Sequence, residues 1–479
     1  MLGGMAFLGV VTDVAYHSTR GRAPVLAFDD VLLAGLASDG GLYLPVAWPA
    51  IEPDEWAALA GKSYAEIAVR VMRPFLDGTI ADKDFERIVT ETYAGFAHKA
   101  VAPLIQLGAN DWLLELFHGP TLAFKDYALQ LLGRLFDHVL KAKNRRVTIV
   151  GATSGDTGSA AIEAFRDREA ADIVILHPKG RTSEVQRRQM TTVMSANVHN
   201  VAVEGTFDDC QDLVKAMFAD VMFRETMGLS AINSINWARI MAQIVYYAVA
   251  SLALGAPHRT VAFSVPTGNF GNVYAAFAAR RLGLPIGQLV VGSNANDILT
   301  RFFQTGVMST AGVVQTLSPS MDIQISSNFE RYLFDLFGED GARVTDFMAK
   351  LRAEGRFDVD ERMLDGIRRL FSGHRLDDAA TKAAIGTLYR ETGMLIDPHS
   401  AIGVMAGRAC RRDPSQPMVA LATAHAAKFP QAVGEATGVR PALPPALADL
   451  FDRPERYVTL PADLDVIKAH VRQVSRGAL

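Results

Sequence analysis

The strongest restriction on the fold is an order of elements that occurs twice: an apolar run, a loop with several glycines, and a helix-forming stretch. The first copy leads from RRVTIVGA into the loop GATSGDTGSAA, Gly151 to Ala161. The second leads from RTVAFSVP into PTGNFGN, Pro266 to Asn272, and then into NVYAAFAARRL. Because short apolar runs that alternate with amphipathic helices build parallel sheets, the chain is predicted to be an α/β protein.

The length of the chain predicts more than one domain. A chain of 479 residues is too long for one ordinary core. We expect an N-terminal domain over residues 1–100, an α/β domain over 101–258 and a second α/β domain over 259–479. Charged helical patterns such as NFERYLFDLF predict a mostly helical insertion from about 300 to 390. The apolar opening MLGGMAFLGVV lacks a basic segment, so it is interpreted as a strand or a disordered start and not as a signal peptide.

Composition narrows the possible partners and compartments. The formal net charge of −4 and the pI of about 6.3 give no reason to expect binding to nucleic acid or to an acidic membrane surface. No apolar run reaches the length of a membrane span, so no membrane association is expected. The cysteines Cys210 and Cys410 form neither a CxxC pair nor a metal-ligand spacing, so no metal is expected. Two cysteines in so long a chain fit a reducing compartment, which predicts a cytoplasmic protein.

Both glycine-bearing loops have the features of anion sites. Glycines let the backbone approach a ligand, and the helix that follows adds unpaired N–H groups and a partial positive charge. In the first loop Thr153, Ser154 and Thr157 add hydroxyl donors. A well-capped helix after a tight loop is an equally good interpretation of that loop alone. The second loop, Thr267 to Asn272, matches neither a Walker loop nor GxGxxG, so the pair suggests a phosphorylated cofactor together with an anionic substrate.

The run FHGPTLAFKDYA, Phe117 to Ala128, contains a candidate reactive lysine. Lys125 follows an apolar stretch and directly precedes Asp126. A lysine in apolar surroundings can have a lowered pKa, and a neutral amine can form a Schiff base with an aldehyde. Taken alone, Lys125 would more often be a solvated surface residue.

The segment NSINWARIMAQ places a cation where a helix disfavours it. Asn236 is predicted to cap a helix, which puts Arg239 in the first turn of an apolar stretch with Asn233 close by. A cation in the first turn opposes the helix dipole, and a bound anion would offset that cost. The alternative is a surface arginine paired with a neighbouring acid.

The segment LATAHAAKF lies at the end of an apolar strand, where α/β enzymes place ligand contacts. If the ligand contains a pyridine ring, the hydroxyl of Thr423 could hydrogen-bond the ring nitrogen without protonating it. His425 and Lys428 follow closely, and each is interpreted as structural or solvated rather than catalytic.

Together these segments resemble the long type of the threonine synthase family, which belongs to fold type II of the pyridoxal-phosphate enzymes. The resemblance implies a tryptophan synthase β-like fold with two parallel-sheet α/β domains, and it covers most of the chain. The family usually has a proline where this chain has Ala426. The matching segments are YHSTRG, SDGGLYLP, FHGPTLAFKD, TSGDTG, NSINWARI, PTGNFGN, SSNFERYLF and TAHAAKF.

The resemblance implies a role for each matching position. Lys125 matches the lysine that binds the cofactor, pyridoxal 5'-phosphate, as a Schiff base, and Thr423 matches the residue at the pyridine nitrogen. Asp156 stands where short-type relatives have an asparagine near the phenolic oxygen, whereas long-type members resemble this chain in having an aspartate. The cofactor-phosphate cradle is matched by Thr267, Gly268, Asn269, Phe270, Gly271 and Asn272. The substrate's carboxylate and phosphate are matched by Thr153, Ser154, Thr157, Asn233 and Arg239.

The family's reaction converts O-phospho-L-homoserine and water to L-threonine and phosphate, and the enzyme is expected to be a monomer or a homodimer. Two alternatives remain open at this point. Another fold type II enzyme, such as a serine or threonine dehydratase or a cysteine synthase, would not need Arg239 for a distal phosphate. A non-catalytic relative that binds the ligand as a sensor would not need an intact Lys125.

Overall fold

The computed structural model describes residues 14–76 and 78–477. The interpretation of the opening segment MLGGMAFLGVV as a strand or a disordered start concerns residues outside these ranges. The N-terminal domain packs helices around a small antiparallel pair of strands. Its elements are β1 (Tyr16–Ser18), α1 (Phe28–Ala34), β2 (Tyr43–Pro45), α2 (Pro53–Ala58), α3 (Tyr64–Met72) and α4 (Asp82–Ala94).

The middle of the chain contributes four strands, all of them after residue 146, to a five-stranded parallel sheet. The strand Ala171–Pro178 is buried along its whole length, as is usual for a parallel strand with helices on both faces. The elements in chain order are β3 (Leu104–Gly108), β4 (Asp111–Glu115), α5 (Lys125–Ala142), β5 (Val147–Ala152), α6 (Asp156–Phe165), β6 (Ala171–Pro178), α7 (Glu184–Thr191), β7 (Val198–Glu204), α8 (Phe207–Ala219), α9 (Val221–Met227), β8 (Leu229–Ser230) and α10 (Trp237–Ala253).

The remainder of the chain supplies most of a six-stranded sheet and the helices around it. The elements are β9 (Val261–Pro266), α11 (Gly271–Arg281), β10 (Ile286–Ser293), α12 (Ile298–Thr305), β11 (Val307–Ser309), α13 (Phe329–Leu336), α14 (Gly341–Glu354), β12 (Arg356–Asp358), α15 (Glu361–Leu370), β13 (Phe371–Arg375), α16 (Asp378–Thr392), α17 (Pro398–Cys410), β14 (Met418–Ala422), α18 (Pro430–Thr437), β15 (Val458–Pro461) and α19 (Leu464–Val474).

The two sheets do not follow the predicted division at residue 258. The larger sheet has the order β13-β10-β9-β14-β4-β3, so it includes two strands from before Lys125. The smaller sheet has the order β15-β7-β6-β5-β8, so it takes one strand from near the C-terminal end. Local patterns locate strands along the chain but do not identify their partners, which are chosen by packing between distant segments.

The region from about 300 to 390 is mostly helical, but it is not purely an addition to the framework. Its strand β13 pairs in parallel with β10 and forms an edge of the larger sheet. The strands β11 and β12 form a short antiparallel pair. Within residues 14–76 and 78–477, no helix is both long and apolar enough to cross a membrane.

A helix buried on all sides joins the parts of the molecule. The side chains of α10 are almost all buried, and the helix packs against α3, α5 and α11. The N-terminal domain is also tied to α13, because Arg20 forms a 3.0 Å ion pair with the largely buried Glu330. Arg331 donates hydrogen bonds to the carbonyls of Tyr43 and Ile235. These contacts connect the N-terminal domain to the loop that precedes α10.

Candidate active site

Lys125 is the first residue of α5 and is buried, with 8% of its surface exposed. Its Nζ lies 3.5 Å from Oδ2 of Asp156 and 3.2 Å from Oγ of Ser320. The interpretation as a solvated surface lysine is therefore wrong. Burial lowers the pKa of Lys125; the Asp156 charge raises it, and the charges of Lys428 and Arg239 lower it further. The direction agrees with that predicted from the sequence.

The acid next to Lys125 in sequence is not its partner. The carboxylate of Asp126 accepts hydrogen bonds from the backbone N–H and the hydroxyl of Thr121, both at 2.8 Å. It thereby closes the turn that starts α5. The acid beside Lys125 is Asp156, the first residue of α6, and the fold brings the N-terminal ends of the two helices together.

Asp156 is a buried carboxylate at the centre of the site. Gln186 donates from Nε2 to Oδ1 at 2.8 Å, and Nζ of Lys428 lies 2.8 Å from the same oxygen. Gly155 makes this approach possible: its φ is +148°, and a Cβ there would lie 2.5 Å from the Gln186 side chain. Burial raises the pKa of Asp156, but the charges of Lys428 and Lys125 outweigh burial and hold it well below its usual range.

The first glycine loop closes on itself. Oγ1 of Thr153 accepts from the N–H groups of Gly155 and Gly158 at 3.0 and 2.9 Å. The hydroxyl of Thr153 therefore helps to cap α6, as the alternative interpretation of this loop proposed. Ser154 and Thr157 are half-buried, one before the helix and one in its first turn. Their role toward the substrate stays a prediction.

The second glycine loop, Thr267 to Asn272, leads from β9 into α11 as predicted. A Cβ at Gly268 would lie 2.7 Å from the carbonyl oxygen of Ser320, so only glycine fits this approach. Phe270 adopts a left-handed conformation with φ of +60° and turns the chain into the helix. The loop thus passes beside the segment whose Ser320 hydroxyl contacts Lys125.

This second loop fits a phosphate group. Oδ1 of Asn272 accepts from the hydroxyls of Tyr246 and Tyr247 at 2.5 and 2.6 Å. With Oδ1 occupied, Nδ2 is the remaining polar atom of this side chain, and it is buried without a hydrogen-bond partner among the described residues. The first N–H groups of α11 likewise have no acceptor within their own helix. A bound phosphate would accept from both kinds of donor.

Arg239 lies in the first turn of α10, and Oδ1 of Asn236 accepts from the N–H of Ala238 at 3.0 Å, as a cap does. Arg239 is 3% exposed, so the interpretation as a surface arginine is wrong. Its Nε is buried and unpartnered among the residues that the structure describes. Burial lowers the pKa of Arg239 to about 10. A bound anion would offset the cost of burying this cation. Asn233 is exposed in the preceding loop.

Thr423 directly follows β14 and is 6% exposed. Its carbonyl accepts from the N–H of Phe124 at 2.9 Å, which places it beside Lys125. Its own N–H donates to Oγ of Ser400 at 3.1 Å. His425 caps a short 3₁₀ helix through Nδ1, which accepts from the N–H of Ala427. The expectation of a structural role for His425 agrees with this contact.

Sequence reasoning missed three residues of the site. Gln186 and Ser320 contact Asp156 or Lys125 but belong to no glycine loop. Lys428 is 0% exposed and contacts Asp156, so of its two interpretations, structural or solvated, the solvated one is wrong. One signal was available: a lysine directly after the apolar run LATAHAA is in a place where a solvated charge is unusual.

Comparisons with known proteins identify the family of this chain. The family model "Threonine synthase N terminus" matches residues 15–93, "Pyridoxal-phosphate dependent enzyme" matches 98–350 and "Threonine synthase, C-terminal" matches 400–471. A threonine synthase from Pseudomonas aeruginosa is 58% identical, with 96% of this chain and 98% of that protein covered. One from Methylobacillus glycogenes is 42% identical over 95% and 99% of the two chains.

Solved structures are similar along nearly the whole chain. A threonine synthase from Brucella melitensis with bound PLP is 54% identical, with a TM-score of 0.95 over 97% of this chain and 100% of that one. A threonine synthase from yeast is 37% identical, with a TM-score of 0.92 over 96% and 99%. These names favour threonine synthase over a dehydratase or a cysteine synthase. The chain therefore belongs to the threonine synthase family of fold type II pyridoxal-phosphate-dependent enzymes.

Proposed function

We propose that the substrate is O-phospho-L-homoserine, which reacts with water to give L-threonine and phosphate. The enzyme is thus a pyridoxal-phosphate-dependent carbon–oxygen lyase that acts on a phosphate ester. The observation that carries the choice of substrate is Arg239, a buried guanidinium whose Nε has no partner in the part of the chain that the structure describes. Arg239 belongs to α10, whereas the loop at Thr267 to Asn272 leads into α11, so the two candidate anion sites are assigned to different elements.

The cofactor, when bound, supplies the electron sink for proton removal next to the substrate amine. Lys125 would hold it covalently, and the loop from Thr267 to Asn272 would hold its phosphate through backbone N–H groups and Nδ2 of Asn272. Thr423 would contact the pyridine nitrogen, and Asp156 would lie near the phenolic oxygen. Lys125, Asp156 and Thr423 come together at the start of α5.

Lys125 also serves as the proton acceptor in this proposal. An amine takes up a proton only when it is neutral, and the lowered pKa of Lys125 increases its neutral fraction. Asp156 opposes this effect, while Lys428 and Arg239 favour the neutral amine. The charges around Nζ thus set how readily the lysine accepts a proton and gives it back.

The substrate's charged groups would bind at the ends of α6 and α10. Arg239 supplies a charged donor, and the exposed Asn233 lies in the loop before it. Ser154 and Thr157 supply hydroxyls near the start of α6, and Thr153 holds the loop in shape. Hydrogen bonds between a guanidinium and a phosphate are among the strong ones, so Arg239 is assigned to the phosphate.

Release of phosphate from three compounds tests the proposed substrate. The purified enzyme should release phosphate from O-phospho-L-homoserine and form threonine in equal amount. O-phosphoserine is the control that keeps the phosphate but shortens the chain, and serine is the control without phosphate. Turnover of serine at a rate similar to that of O-phospho-L-homoserine would contradict the proposal and indicate a dehydratase.

Thr423 variants test the contact with the pyridine nitrogen. We expect Thr423→Ser to keep most of the activity because it keeps the hydroxyl, and Thr423→Asp to lose far more. A carboxylate would favour a protonated ring nitrogen and change the electron demand of the cofactor. Steady-state kinetics and the visible spectrum of both variants measure the difference. Equal activity would show that Thr423 does not contact the ring.

The proposal includes a cytoplasmic location and a monomeric or homodimeric state. Cys210 and Cys410 are both free thiols, which suits a reducing compartment. Analytical ultracentrifugation of the holoenzyme distinguishes the monomer from the dimer.

A further inference from the structure

Lys428 is a buried cation that the proposed reaction does not use. It ends the short 3₁₀ helix Ala426–Lys428 and is 0% exposed. Its Nζ lies 2.8 Å from Oδ1 of Asp156 and donates to the carbonyl oxygen of Thr121 at 2.7 Å. Even a paired ammonium group carries a desolvation cost in the interior that can exceed its Coulombic gain, so this placement needs a reason.

The two oxygens of Asp156 have different neighbours. Oδ1 is occupied by Lys428 and by Nε2 of Gln186 at 2.8 Å. Oδ2 lies 3.5 Å from Nζ of Lys125 and 3.5 Å from Oγ of Ser320. The carboxylate is therefore held from one side, and its other oxygen is aimed at the lysine that reacts.

Lys125 and Lys428 differ in what the proposed reaction requires of them. Lys125 must be uncharged when it accepts a proton, and on the bound cofactor its nitrogen would carry a charge only when protonated there. Whenever that nitrogen is uncharged, Asp156 loses a neighbouring cation, and a buried carboxylate without one takes up a proton. Lys428 neither holds the cofactor nor accepts a proton in the proposed reaction, so it stays beside Asp156.

We propose that Lys428 is a positioning residue that keeps Asp156 an ionised acceptor, with Oδ2 aimed at Lys125, throughout the catalytic cycle. The inference rests on the assignment of Lys125 to the cofactor. Without Lys428, Asp156 would become protonated when Lys125 is uncharged, and its carboxyl would then be a donor toward the cofactor. The low pKa of Asp156, due largely to Lys428 acting against burial, agrees with this role.

A pH titration of the wild-type, Lys428→Met and Asp156→Asn/Lys428→Met holoenzymes tests the proposal. In Lys428→Met, the visible absorbance of the bound cofactor should show an extra one-proton step between about pH 7 and 9, because burial can raise the carboxyl pKa of an aspartate, ordinarily about 3.9, by up to about 3–5. The wild-type protein should lack this step. The double variant Asp156→Asn/Lys428→Met should lose it again, which assigns the step to Asp156.

The double variant also separates Asp156 from its other titratable neighbours. The charge of His399 acts on Asp156 as well, and its Nδ1 lies 2.6 Å from Oδ2 of Asp397. His399 is unchanged in both variants, as is Asp126, on which the charge of Lys428 also acts. A step that persists in the double variant, or one that is missing from Lys428→Met, would overturn the proposal.

Thermal unfolding gives a second test that needs no activity. In the wild-type protein the pKa of Asp156 is below its unfolded value, so its stabilising effect is present above about pH 4 and lost in acid. In Lys428→Met the pKa should lie above the unfolded value, so stability is greatest in acid and falls as the pH rises. The Tm deficit relative to wild type should grow by about 2 °C or more from about pH 5.5 to about pH 8.

This second test also covers a variant that folds poorly. If Lys428→Met is unfolded near neutral pH, it should regain a cooperative transition in mild acid, and the double variant should fold at both pH values. Lys468→Met is the matched control, since Lys468 forms a 2.7 Å ion pair with Asp220 away from the site. A pH-independent Tm deficit in Lys428→Met, like that of the control, would show that Lys428 only fills space. Failure of Lys125 to bind the cofactor would instead contradict the proposed function.

Discussion

Replacement of Lys125 by alanine should abolish covalent cofactor binding and lower kcat by at least roughly 10³-fold, the upper part of the range for loss of an acid–base group. The reason is that Nζ has two roles in the proposed function, as the cofactor's attachment point and as the proton acceptor. Burial and the neighbouring cations Lys428 and Arg239 suit it to both by lowering its pKa.

Borohydride reduction of the holoenzyme followed by peptide mapping measures the attachment directly. We expect the reduced adduct on the peptide that contains Lys125. Lys141→Ala is the matched control, because Lys141 lies on the same helix but is exposed and paired with Asp137 and Glu169. The critical competitor is Lys428, the other lysine that contacts Asp156. An adduct on Lys428 would show that the two lysines have been assigned the wrong way round.

Arg239→Ala should raise the KM for O-phospho-L-homoserine by about tenfold or more while the cofactor's visible spectrum is retained. A hydrogen bond to a charged group contributes about 1.5–3 kcal/mol, and each 1.4 kcal/mol is a factor of ten in affinity. The cofactor should stay bound because its phosphate is assigned to the loop from Thr267 to Asn272. Inorganic phosphate should also become a weaker competitive inhibitor.

Two further variants separate charge from packing at this buried position. Arg239→Lys should recover only part of the affinity, because an ammonium cannot reproduce the planar fork of a guanidinium. Arg239→Met keeps most of the apolar stem and should behave like Arg239→Ala. If Arg239→Ala loses the cofactor while inhibition by phosphate is unchanged, the two anion sites have been exchanged in this assignment.

Features that depend on neighbouring residues were predictable from the sequence. Both strand–loop–helix units occur as expected, with α6 after β5 and α11 after β9. Asn236 caps α10, so Arg239 falls in its first turn. Thr423 follows a buried strand. Apolar periodicity, glycine spacing and capping act over a few residues, which is why each of these features could be inferred without tertiary contacts.

The pairing of distant segments was decided only by the tertiary structure. The sequence determined that Lys125 follows an apolar run, but not that Asp156 rather than Asp126 would face it. It showed where strands occur, but not that β15 would join the smaller sheet or that β3 and β4 would join the larger one. It also did not reveal the partner of Lys428. Buried charges are stabilised by groups that folding brings close, and those groups lie far apart along the chain, beyond the reach of local patterns.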